Sequence, residues 1–138
     1  MSYADFVKRV AASLIDGVVT WVVGYAIGHA LEVANVATKR NDPAALAILK
    51  YVIVLLVGWL YAAGMESTSA QGTLGKMALG LKVTDLEGNK VGFGRATGRH
   101  FCKLLSSLTL LAGFLMAAFT EKKQALHDIL AGCLVVNK

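Results

Sequence analysis

Two apolar stretches dominate the first half of the chain, Val10–Leu31 and Ala44–Met65. Each is long enough for a membrane-crossing helix, which needs about 20 residues. The first carries only Asp16 and His29 as ionisable groups, and the second only Lys50, near its start, where the ammonium can snorkel to the interface. Trp59 and Tyr61 lie toward the far end of the second stretch, as interfacial aromatics do. Glu66 closes it and reads as a solvated helix end. A polar connector, Glu32–Pro43, separates the two, and Pro43 suits the first position of a helix.

The second half is less regular. Ser67–Gly75 is rich in Ser, Thr and Gly and reads as a loop. Apolar and polar residues alternate from Leu81 to Asp85, Glu87-Gly88-Asn89 is a turn signal, and Val91–Phe93 can return as a second strand. Residues 79–94 therefore read as a small β-hairpin on the membrane surface, because open strand edges cannot lie in lipid. Residues 95–120 read as a third helix, basic at first and then charge-free over Leu104–Phe119. That run is short for a crossing and is weakened by Ser106, Ser107, Thr109 and Gly113. It either crosses, with Lys103 snorkelling, or turns back as a re-entrant helix, the slightly favoured course. Residues 124–138 form a C-terminal segment whose last strand, Leu134–Asn137, can pair with Leu81–Thr84. The expected fold is mainly α, a single small membrane domain with two transmembrane helices, a third short or re-entrant helix and a small cytoplasmic β-hairpin.

Composition supports a bilayer as the solvent. Of the 138 residues 56% are hydrophobic and 17% charged, against about 25% charged in an ordinary soluble domain. Met1–Arg9 resembles the basic start of a signal peptide, but the run after it is long and carries Asp16, so it reads as a retained helix. The net charge is +5, and Lys76, Lys82, Lys90, Arg95, Arg99 and Lys103 crowd into one segment between apolar runs. Anionic lipid, rather than nucleic acid, is the expected partner for that segment, with Lys76, Arg95 and Arg99 as candidate lipid or charge-pairing groups. Lys8 and Arg9 before the first crossing and these bases after the second place both on the cytoplasmic side. Lys122 and Lys123 keep to that side only if the third run is re-entrant. Cys102 and Cys133 read as reduced packing thiols.

The candidate chemistry centres on Asp16. A carboxylate inside a membrane span costs roughly 2.5–3.5 kcal/mol on insertion scales and marks a functional-site hypothesis. Arg9 shares its helix face but lies about 10 Å away along the axis, so Lys76 or Arg99 are alternative partners. Two readings stand: a buried network that locks helices to the surface hairpin, and a titrating carboxylate that alternately binds a proton and a cation. His127-Asp128 reads either as a helix cap with structural pairing or as a proton relay. The three histidines have no zinc-like spacing, so no metal site is expected. Thr73-Leu-Gly75-Lys76 lacks the first glycine and the trailing Ser/Thr of a phosphate loop. Ser13, Ser106 and Ser107 have no nucleophile elbow. No residue set supports an enzyme, and no cofactor is implied. Gly24-x-x-x-Gly28 permits close helix approach in lipid.

Four motifs in order resemble the RDD family of bacterial membrane proteins, named for an arginine and two aspartates. They are Arg9 and Asp16 in Phe6–Gly17, Thr73–Gly88 in the middle, a basic residue at Arg99, and Asp128 in Ala125–Gly132. Cys133 departs from the family's common threonine. The resemblance covers nearly the whole chain and implies a location in the bacterial cytoplasmic (inner) membrane. The family's function is undefined, with transport suspected and sodium–proton exchange linked to some members. On that basis Asp16, Asp128, Arg9 and His127 are candidate ion- or proton-binding residues, and a monovalent cation and proton are candidate ligands. Two or three helices are few for a whole pathway, so this reading expects a homo-oligomer. The competing expectation is a membrane scaffold or accessory protein that binds anionic lipid or another membrane protein.

Overall fold

The computed structural model describes residues 1–38, 42–109 and 112–138. Helix α1 runs over Phe6–Ala37 and helix α2 over Pro43–Ser67. At 1.5 Å per residue they measure about 48 and 38 Å, both longer than a bilayer's hydrocarbon core of about 30 Å. Pro43 opens α2, and the Asp42 carboxylate accepts hydrogen bonds at 3.1 Å from the Ala44 and Ala45 amides, which satisfies two free donors of the first turn. The apolar windows of α1 and α2 are 6% and 0% buried, so their side chains, among them Trp21, Leu55 and Leu60, turn outward. A surface of that extent is not stable in water and belongs in lipid or against another chain.

The remaining elements gather at one end of the α1–α2 pair. They are α3 (Leu74–Ala78), β1 (Leu81–Asp85), α4 (Phe93–Leu108), α5 (Ala112–Phe119), α6 (Leu126–Ala131) and β2 (Cys133–Asn137). The third apolar run is broken: α4 and α5 are bent by 104° to each other, the form of a broken span or a re-entrant loop. Gly113 lies so close to Ser106 that a Cβ there would sit 3.0 Å from its side chain.

The sheet has two strands, antiparallel, with Leu81 opposite Asn137 and Asp85 opposite Cys133. Its second strand is therefore the C-terminal segment and not Val91–Phe93. The turn after β1 returns only as one bridge, Thr84 to Lys90, before Phe93 opens α4. The reason is burial. Residues 133–136 are all apolar and all buried, so this strand suits the inside of a sheet. Its other edge is used as well: Ala4 donates its amide to the Val135 carbonyl at 2.9 Å, and Asn137 donates to Ser2 at 2.9 Å. Gly132, at φ 61°, takes the left-handed conformation that ends α6 and turns the chain into β2. The core beneath contains Ala4, Ala12, Ala63, Leu81, Val83 and Val135, with Trp59 packed on its edge.

Candidate functional site

Five helices each send one charged side chain to a common buried cluster: Arg9 from α1, Glu66 from α2, Lys76 from α3, Arg99 from α4 and Asp128 from α6. Arg99 is its centre and is 1% exposed. Its Nε donates to Asp128 Oδ1 at 2.8 Å, and its Nη1 donates to both Glu66 oxygens at 2.7 and 2.8 Å. Only the planar fork of an arginine serves two carboxylates in this way. Arg9 pairs with the other Asp128 oxygen through Nη2 and donates from Nη1 to the Lys123 carbonyl at 2.7 Å. Lys76 pairs with Glu66 Oε1.

Local chemistry puts Asp128 in place. It is the third residue of α6, and its Oδ2 accepts the Ala125 amide at 3.1 Å, which caps the helix start. Burial alone would raise its pKa, but the Arg99 and Arg9 guanidiniums outweigh that and hold it well below the usual carboxylate range. His127 lies with Nε2 3.3 Å from Asp128 Oδ1 and Nδ1 3.4 Å from Ser106 Oγ. Burial, then Arg99, pulls its pKa down to about 2 despite Asp128, so the imidazole is neutral. Burial also brings Lys76 down to about 7, with Glu66 opposing and Arg99 adding to the fall. The Cys133 thiol is pushed up to about 11 by burial, the property of an unreactive packing group.

Asp16 stands apart from this cluster. Neither Lys76 nor Arg99 reaches it, because both are held by Glu66, and among the described residues no cation lies within ion-pair distance of it. Its donors are neutral: Tyr61 Oη at 2.9 Å and the Gly75 amide at 2.8 Å to Oδ1, and Thr73 Oγ1 to Oδ2. Tyr61 in turn accepts the Leu74 amide at 3.1 Å. Two amides of the first turn of α3, which that turn leaves free, are thus satisfied by a membrane helix and its neighbour. The approach is close enough that a Cβ on Gly75 would lie 2.1 Å from the Ala12 carbonyl.

The other sequence-nominated residues fall differently. Arg95 is half-exposed and lies 3.9 Å from Asp85, away from the cluster. Glu66 is not the solvated helix end that its position implied. It is 2% exposed and is bonded to two cations. An acid at the end of an apolar run reads the same whether water or an arginine waits for it, so only the opposite signs of Lys76 and Arg99 pointed its way. Tyr61, Thr73 and Gly75 carried no charge to mark them. Among the described residues no group of three His, Cys, Asp or Glu side chains could hold a metal.

The RDD family's sequence profile matches residues 3–132, and Arg9, Asp16 and Asp128 all lie within the match. The chain belongs to the RDD family. It is 34% identical to the uncharacterized protein YxaI of Bacillus subtilis, over 98% of this chain and 97% of that one. It is 30% identical to the uncharacterized membrane protein YteJ of the same organism, over 99% and 82%. A Haemophilus influenzae protein is 29% identical, over 99% and 80%. No solved structure matches the chain. The long apolar helices and the family together make this a membrane protein. In this RDD protein Arg9 and Asp128 are one ion pair, whereas Asp16 serves a separate hydroxyl- and amide-lined position.

Proposed function

We propose that this RDD protein is the subunit of an oligomeric exchanger that trades a monovalent cation for a proton at Asp16. One observation carries the reading: Glu66 and Asp128 are taken up by arginine and lysine, while Asp16 is the carboxylate in a span that has only neutral donors. A carboxylate removed from water needs a proton or a counter-ion. The Tyr61 and Thr73 hydroxyls can turn from donating to accepting, so the same atoms can serve the anion, the acid or a cation-bound form. The pathway would run between subunits, since one chain has two unbroken spans among its described residues. The orientation that fits the basic residues puts the N-terminus and the α3–α6 end on the cytoplasmic side of a bacterial inner membrane.

The test is cation–proton exchange in vesicles containing the purified protein, comparing native protein with Asp16→Asn and Tyr61→Phe. Exchange abolished by the first and slowed by the second supports the reading. Equal flux in the native protein and Asp16→Asn removes Asp16 from any such role.

A second reading, a membrane accessory protein that holds anionic lipid at its surface, is favoured by Arg95, Lys82 and Lys90 near the sheet. Lys76 and Arg99 do not contribute to it, because their charges are spent on Glu66 and Asp128. It predicts vesicle binding that weakens with salt and with Arg95→Gln.

A further inference from the structure

A cavity of about 410 Å³ lies between α1, α4 and α5 and reaches down to the ionic cluster. Its volume lies within the range of small-molecule sites, roughly 300–1,000 Å³. Most of its wall is apolar. Its charged lining groups are all cations, Arg9, Lys76, Arg99 and Lys103, and neither Glu66 nor Asp128 faces it. The charges do not balance. Arg9 and Arg99 balance the two carboxylates, Lys76, whose pKa burial brings to about 7, shares Glu66 with Arg99, and Lys103 makes no ion pair among the described residues. Excess positive charge against an apolar wall is costly unless an anion joins it. Leu14 and Leu115 line the same cavity and are 67% and 49% exposed, so its apolar end is open to the surroundings of α1 and α5.

We propose that this cavity binds a single-chain anionic amphiphile, a carboxylate or phosphate head on one hydrocarbon tail. The head is held by Arg9 and Lys103, and the tail lies along Leu14 and Leu115. One hydrocarbon chain suits the volume better than a two-chain phospholipid, and the head chemistry follows from Lys103, which has no ion-pair partner among the described residues, beside the Arg9 guanidinium on the same wall. The site is independent of exchange at Asp16, which does not line it.

The test uses the full chain in phosphatidylcholine nanodiscs with labelled dodecanoate, corrected for uptake by empty discs. Saturable binding of one dodecanoate per chain is expected, with displacement by monododecyl phosphate. Dodecanol and inorganic phosphate, tail and head alone, should each bind at least tenfold more weakly. Lys103→Gln should weaken dodecanoate tenfold or more, Lys103→Arg should retain it, and Lys50→Gln, near the start of α2 and outside the cavity, should leave it unchanged. Replacing a third of the lipid with phosphatidylglycerol should not displace the probe. Uptake no greater than in empty discs, equal binding of dodecanol, or indifference to Lys103→Gln would overturn the proposal. Full displacement by phosphatidylglycerol would overturn the assignment to a single-chain ligand in favour of the bilayer's own lipid.

Discussion

Arg99 Nε donates to Asp128 Oδ1 at 2.8 Å, with both side chains shielded from solvent. The bond joins α4 to α6, and the rest of the same guanidinium reaches Glu66 on α2. Such a network adds little net stability over a well-packed apolar core, but removing one partner strands the others.

Arg99→Met is therefore expected to destabilise the protein by about 3–5 kcal/mol, the usual cost of leaving buried charges unpaired. Arg99→Lys should also destabilise, because a single ammonium lacks the fork that serves both Glu66 and Asp128. Thermal unfolding in detergent, with Arg95→Met as the surface comparison, reads the difference. An Arg99→Met protein as stable as native would show that the cluster is not holding the helices.

Gly75 supplies a second prediction. A methyl group there would fall 2.1 Å from the Ala12 carbonyl, so Gly75→Ala must push α3 off α1 and break the amide bond to Asp16. A loss of roughly 1–3 kcal/mol is expected, as for other forced overpacking. Gly17→Ala, on the same helix as Asp16 with nothing within 4 Å of the added carbon, should be near neutral. Limited proteolysis of the segment after α2 compares the two, and equal cleavage would rule out the close contact.

The two spans, the break in the third run and a small sheet were all legible in the sequence, because hydropathy and turn chemistry are local properties. Pairing is not local. Val91–Phe93 and Leu134–Asn137 both had strand character, and burial of Cys133–Val136 on β2 decided between them. The same limit applies at the site. Arg9, Asp128 and Arg99 were visible as charges in unusual places, but Glu66 looked like an ordinary helix end until the fold brought Arg99 to it. Asp16 was visible for its position, whereas its neutral partners Tyr61 and Thr73 come from segments with no charge to betray them.

His127 gives the cluster an acid limit. Its pKa is lowered from 6.5 to about 2 in the folded protein, so the unfolded chain binds a proton first as pH falls. Its contribution to stability is complete above about pH 6.5 and declines below it, by up to about 1.4 kcal/mol per pH unit. Asp128, also depressed, adds its own loss as the pH falls below its unfolded value of 3.8. Unfolding midpoints measured from pH 7.5 to 4.5 should fall for native protein and fall less steeply for His127→Gln. Parallel curves would mean that the buried imidazole does not govern acid stability.

The sharpest question is whether Asp16 exchanges a proton for a cation. Infrared difference spectroscopy of the protein in lipid, with and without added sodium across a pH series, observes carboxyl protonation directly. Exchange at Asp16 predicts a protonated-carboxyl band that sodium abolishes, present in native protein and missing from Asp16→Asn. A spectrum indifferent to sodium, or a sodium-sensitive band that survives in Asp16→Asn, would contradict it.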